Sequence, residues 1–264
     1  MRPLSAPTAH KPLTTRRLVT PVVVSTLLLL FCGNALAALE DDWRRALARR
    51  DMQALETLLA QGVGADISAE GGRTALMYAA LSGERRLVRA LLDAGANVNA
   101  ANSGGGTPLM YAALVGDGEA VDLLLGHGAD PRRVASNGWT PLMYAAAKGH
   151  IAVVEQLIRH GADPNAPDIY GWTPLMRAVR ENRLRVVEAL LGIGQVNIRA
   201  QDEHGASALH HAAEMGFVDI VRRLVAAGAS TQLTDQNGLT PWMRASAKGH
   251  LDVIEAMGPA AAGR

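Results

Sequence analysis

His210, His211 and Glu214 spell H-H-x-x-E, and imidazoles and a carboxylate at this spacing on one helix could reach a common metal ion. The two histidines are adjacent, however, and adjacent helical residues point in different directions. The pattern therefore predicts no metal site. His150 and His250 each follow a glycine where a helix is expected to open, and they are read as structural. Gly104-Gly105-Gly106 precedes Thr107 where the chain reads as a hairpin, so it is expected to be a flexible tip rather than a phosphate cradle. No G-x-S-x-G and no repeated carboxylate pair appears. Cys32, the single cysteine, lies in an N-terminal segment expected to be removed. The remainder then has no disulfide, no cysteine zinc site and no thiol nucleophile. These residues predict no catalytic centre, no metal and no cofactor.

The elements that position these residues follow a repeat. T-P-L-M-Y-A-A begins at Thr107 and at Thr140, with variants at Thr74, Thr173, Ser207 and Thr240. The steps are 33, 33, 33, 34 and 33 residues, and one further step back reaches Asp41. Each unit has one grammar. Thr140 is an N-cap and Pro141 fits the first helical position, where its missing N–H had no partner. A short helix runs to about Lys148 and Gly149 turns the chain. A second helix carries Val153, Val154, Leu157 and Ile158 on one stripe. Gly161 ends it, and Asp163-Pro164-Asn165 begins a tight turn. The 34-residue step predicts an irregular hairpin near residues 195–202.

Gly138-x-Thr140-Pro141-Leu142, Ala145-Ala146, Gly149-His150 and Gly161-Ala162-Asp163 resemble the ankyrin repeat, over about residues 40–257. The resemblance implies an all-α repeat solenoid of about seven units. Five fuller internal repeats would lie between an N-terminal and a C-terminal capping unit, each a helix–turn–helix with a β-hairpin-like connecting loop. One departure is that Met77, Met110, Met143, Met176 and Met243 stand where the family usually has a histidine, and only His210 keeps that pattern. Softer hairpins are expected there. The first unit has Arg44, Arg45, Arg49 and Arg50, and the last has Trp242 and Ser246 in place of Leu and Ala, as polar caps would.

The resemblance also implies a non-catalytic role in binding another protein through hairpin tips and the exposed face of the first helices. By place in the motif, the first-helix positions are Tyr78, Tyr111, Tyr144, Arg177, His211 and Arg244. Trp139 and Trp172 precede the signature threonines, where Gly106 and Leu239 stand elsewhere, and Tyr170 sits at a hairpin tip. Aromatic residues beside cations are the usual material of interface hot spots. The expected surface is a groove from Tyr78 to Arg244, aromatic in one half and basic in the other, for a partially acidic protein. A competing expectation is that the tyrosines only stiffen the stack.

Export is expected as well. Arg16-Arg17 precedes the apolar run Val22 to Phe31, and Ala35-Leu36-Ala37 offers the small residues of a cleavage site. Residues 1–37 read as a signal peptide cut between Ala37 and Ala38, followed by one repeat domain at 38–257 and a disordered tail at 258–264. Removing 1–37 leaves 22 basic against 25 acidic residues, a charge of −3, which argues against nucleic acid as a partner. The expected setting is the periplasm, as a monomer without stable membrane insertion. The uncharged stretch Leu18 to Leu39 leaves an inner-membrane anchor facing the periplasm as an alternative. A secreted factor acting on a host or competitor protein is the alternative function, and a metal-binding or enzymatic role the distant one.

Overall fold

The computed structural model describes residues 37–258. All but the last residue of the expected signal peptide (1–37) and all but the first of the expected tail (258–264) lie outside the described residues. The chain divides between Leu39 and Glu40, and the repeats belong to the second unit.

After α1 (residues 37–49) and α2 (Met52–Ala60), each internal repeat contributes a pair of short helices. These are α3 (Ala75–Ser82) with α4 (Arg85–Asp93), α5 (Pro108–Val115) with α6 (Gly118–Gly126), and α7 (Pro141–Lys148) with α8 (Ile151–Arg159). They continue as α9 (Pro174–Arg180) with α10 (Leu184–Gly192), α11 (Ala208–Glu214) with α12 (Val218–Ala226), and α13 (Pro241–Lys248) with α14 (Leu251–Met257). Among the described residues there is no strand.

The capping grammar explains why each first helix starts where it does. The Thr74, Thr107, Thr140, Thr173 and Thr240 hydroxyls each accept the N–H of the methionine three residues on, at 3.2–3.4 Å. The first helices α3 to α13 pack side by side in one row and the second helices α4 to α14 in another. The core between them is small and aliphatic. Leu142, Met143, Ala145 and Ala146 of α7 and Val154 and Leu157 of α8 are completely buried. Alanine in every first helix, at two or more positions in all but α9, lets the helices approach closely, which is how a chain with 4% aromatics fills its interior.

The signature methionines Met77, Met110, Met143 and Met176 are buried, so thioethers fill the space that a ring would occupy. His210 shows what the ring does. Its Nδ1 accepts the Ser207 N–H at 3.1 Å, and its Nε2 donates to the Leu239 carbonyl of the next hairpin at 3.1 Å. His150, Arg183 and His250 reach backward instead, to carbonyls at the end of the preceding first helix: Leu114, Ala147 and Glu214 respectively. Their role is to tie neighbouring repeats together.

Two expectations need correction. The extra residue of the long step does not disturb a hairpin. The Asp202–Ala206 hairpin closes normally, with Asp202 N–H donating to Ala206 C=O at 3.0 Å. The irregularity lies at 193–196, where α10 ends without the bond back into the helix that Ala96, Ala129, Ala162 and Ala229 make at the other joints. The three-glycine tip is not loose either. Gly104 and Gly106 donate to the Asn102 side chain at 2.9 Å and Gly105 to its carbonyl at 2.8 Å.

The ends differ from each other. Trp43 is fully buried and its Nε1 donates to the Ile67 carbonyl, while Arg44, Arg45, Arg49 and Arg50 face outward. At the other end Leu239, Met243 and Leu251 are exposed, so that face is less polar than a cap is expected to be.

Candidate functional site

The hairpins and the first helices form one interlocked surface. Each hairpin is a five-residue turn whose first N–H donates to the carbonyl four residues on, as Ala135 does to Trp139 at 2.9 Å. Successive tips are joined by one backbone bond, for example Ser136 N–H to Gly104 C=O at 2.9 Å. The last hairpin residue then leans over the first helices. Trp139 lies 4.9 Å from the Tyr144 ring of its own repeat and 4.6 Å from the Arg177 guanidinium of the next. Trp172 repeats the pattern, 4.8 Å from Arg177 and 4.2 Å from the His211 ring. Arg177 is thus sandwiched between two indoles, and Arg180 covers Trp172 at 5.3 Å. A guanidinium stacked this way keeps its charge while shedding water, which suits a desolvated interface.

Beneath this surface runs a series of buried carboxylates. Asp168, Asp202 and Asp235 open their hairpins with side chains 0% exposed. One oxygen of each accepts two hairpin N–H groups, and the other faces the first-helix residue nine positions on. Asp168 pairs with Arg177, Asp202 with His211 at 2.7 Å, and Asp235 with Arg244 at 2.6 Å. Burial pushes the Asp235 carboxyl up, but the Leu239 N–H, Arg244 and the Asn237 N–H outweigh it and hold the group below the usual range. Burial lowers the His211 ring below its ordinary value, against the pull of Asp202. In the second internal repeat Asn102 replaces the aspartate, and its Nδ2 donates to the Tyr111 hydroxyl at 2.7 Å.

The structure brings the expected site residues into one face. Tyr111, Tyr144, Trp139 and Trp172 are half-buried with accessible edges, and Tyr170 is 49% exposed at its tip beside Ile169. Tyr78 is only 8% exposed, with Arg50 5.8 Å above its ring, so it serves mainly as packing. The cations of the expected basic half, Arg177, His211 and Arg244, are mostly covered and answered from below by their own aspartates. Glu214 adds a second partner for Arg244 at 2.8 Å. The open cations of the face are Arg73, Lys148 and Arg180. His210, His211 and Glu214 do not converge: the first binds Leu239, the second Asp202, and the third Arg244. Among the described residues no group of His, Cys, Asp and Glu could hold a metal ion, and no helix is long and apolar enough to cross a membrane.

The buried aspartates are what sequence reasoning missed, although their signal is present. An acid stands nine residues before each cation of the row, Asn before Tyr111, and alanine (Ala69, Ala135) before Tyr78 and Tyr144.

His210 supplies a prediction. Burial lowers its ring below the ordinary value, and a proton on Nδ1 would confront the Ser207 N–H. The unfolded chain then binds a proton that the folded chain refuses. Stability from this group is complete above the unfolded value of about 6.5 and is lost as pH falls below it, at up to about 1.4 kcal/mol per pH unit. His210→Met, the residue of the sister repeats, is expected to flatten that part of a urea-midpoint profile between about pH 7 and 5. An unchanged slope would contradict the assignment.

The model of the family described as ankyrin repeats (3 copies) matches residues 44–135, 110–202 and 193–260. The human ASB11 ankyrin repeat domain is similar at 28% identity with a TM-score of 0.72, over 82% of this chain and 97% of that one. The ankyrin repeat domain of Bcl-3, a member of the IkappaB protein family, is similar at 30% identity with a TM-score of 0.69, over the same shares. No curated protein matches the sequence. The repeat period, the capped helix pairs, the linked hairpins and these likenesses agree, and the chain belongs to the ankyrin-repeat family.

Proposed function

We propose that this chain is a non-catalytic scaffold that binds another protein through its hairpin tips and the face of its first helices. The observation that carries the reading is the Tyr144–Trp139–Arg177–Trp172 stack, with Tyr170 and Ile169 standing free at the tip beside it. Aromatic anchors and an arginine at the centre of a patch are where binding energy concentrates. Because these rings are held by stacking and by Asp168, little side-chain freedom is lost on binding. The open cations Arg73, Lys148 and Arg180 favour a partner that is acidic where it touches them.

Replacing Trp139 and Trp172 together by alanine is expected to abolish affinity capture of the partner from cells that make the protein. Far-UV circular dichroism is expected to stay unchanged, because both side chains lie outside the aliphatic core. Undiminished capture by the folded double variant would sink the reading. The setting we propose is the periplasm, after cleavage between Ala37 and Ala38. It rests on Arg16-Arg17, the Val22–Phe31 run and Ala35-Leu36-Ala37. N-terminal sequencing of the exported protein tests it, and a start far from Ala38 would count against it.

A further inference from the structure

The interlocked surface has a gap. At the last hairpin position the residues are Arg73, Gly106, Trp139, Trp172, Ala206 and Leu239. Trp139 lies there over Tyr144 of its own repeat and Arg177 of the next, and Trp172 over Arg177 and His211. Arg73 stands at the equivalent place one repeat earlier and lines one concavity with Tyr111. Gly106 has nothing to place over Tyr111 and Tyr144. A concavity of about 570 Å³ opens at that point, lined by Arg73, Gly106, Tyr111, Tyr144 and Glu70 among others. Ala206, the other small residue of the row, is 1% exposed.

The slot has room for an aromatic ring, and the next two repeats fill the equivalent space with an indole. The Tyr111 and Tyr144 rings and Arg73 line it. Arg73 also differs from the other cations of the row. Arg177, His211 and Arg244 each meet a buried carboxylate, whereas Arg73 is exposed at the rim of the concavity. A single guanidinium with Glu70 nearby suits a monoanionic carboxylate and disfavours a phosphate dianion.

We propose that the slot at Gly106 receives an aromatic side chain of the partner protein, while an adjacent acidic side chain of that partner pairs with Arg73. The proposal rests on the reading that this face binds a protein, and it names the chemistry of one contact within it.

The test uses the purified protein, labelled with nitrogen-15, and three capped dipeptide amides: acetyl-Phe-Glu, acetyl-Phe-Gln and acetyl-Ala-Glu. The Arg73 Nε–H signal and the Gly104 and Gly106 backbone N–H signals report occupancy. Acetyl-Phe-Glu is expected to bind about five-fold more tightly than the Gln peptide, as one partly exposed ion pair allows. It is expected to bind about tenfold more tightly than the Ala peptide, from ring burial. Arg73→Gln, at an exposed position, should erase the preference for Glu. Gly106→Trp should fill the slot and abolish binding of all three. Gly106 is not in the left-handed region; the atoms nearest a Cβ there are side-chain atoms of Asn102 and Tyr111 at 3.1–3.3 Å, which must shift by a few tenths of an ångström, and circular dichroism checks that the variant keeps its fold. Equal affinity for the three peptides, no binding, or a Glu preference that survives Arg73→Gln would overturn the proposal. Those outcomes would leave the wider reading to the Trp139 and Trp172 variants, which do not depend on the slot.

Discussion

Asp168→Ala is expected to destabilise the protein by about 3–5 kcal/mol, the usual loss when one partner of a buried charge pair is removed. The Asp168 carboxylate is fully covered and does three things at once. It accepts the Tyr170 N–H at 2.9 Å and the Trp172 N–H at 3.0 Å, which closes the hairpin, and it neutralises Arg177. Alanine would leave Arg177, 14% exposed between two indoles, with no counter-charge. It would also leave two hairpin donors without their acceptor. Urea denaturation followed by circular dichroism measures the loss. The double substitution Asp168→Asn with Arg177→Tyr copies the Asn102–Tyr111 pair already present two repeats earlier. It should recover most of the stability while removing the cation from the indole sandwich. A loss below about 1 kcal/mol for Asp168→Ala would mean that the pair contributes no more than a surface ion pair.

The second large effect is expected at Gly138. Its φ is +78°, and a Cβ there would lie 2.6 Å from the Ile169 nitrogen and 2.8 Å from the Asp168 Cα of the next hairpin. Both obstacles are backbone and cannot swing aside. Gly238 holds the same place in the last hairpin at φ +73°, and a Cβ there would meet nothing within 4 Å, because no further hairpin follows among the described residues. Gly238→Ala should therefore cost only the left-handed conformation, about 1–2 kcal/mol. Gly138→Ala should cost that plus forced separation of two hairpins, about 3–5 kcal/mol in all. The difference between the two variants, read from thermal or urea melts, isolates the stacking of the tips. Equal losses would show that the hairpins can part freely.

These two positions also show how much is legible in the sequence. The helix pairs follow from residues that act locally. A threonine three residues before a methionine N–H, a proline at the first turn and a glycine after the last turn each act within one unit, so a single sequence displays them. The first-helix row can likewise be placed by register. Its chemistry cannot, because Arg177, His211 and Arg244 take their character from aspartates nine residues earlier on a different element. Read alone, the three cations suggest an open basic surface; with Asp168, Asp202 and Asp235 beneath them they are largely neutralised. Gly106 misleads in the opposite direction. Within its hairpin it reads as a tip, and only the stacking of Trp139 and Trp172 over neighbouring helices reveals it as a missing side chain. Counting predicts an irregular hairpin near 195–202, but the end of α10 absorbs the extra residue at 193–196, since the Asp202 turn is fixed by its own side-chain bonds.

The central claim is that the aromatic face around Trp139 and Trp172 is where another protein docks. A photo-reactive benzoylphenylalanine at Tyr170 stands at the tip of the Trp172 hairpin without replacing either indole, and one at Arg89, exposed on α4 in the other row of helices, serves as the comparison. Irradiation of intact cells should give a discrete covalent adduct with a second protein from position 170 and none from position 89. The adduct should vanish when Trp139 and Trp172 are both alanine. An adduct at 170 that persists in that variant, or one that forms only from 89, would contradict the account.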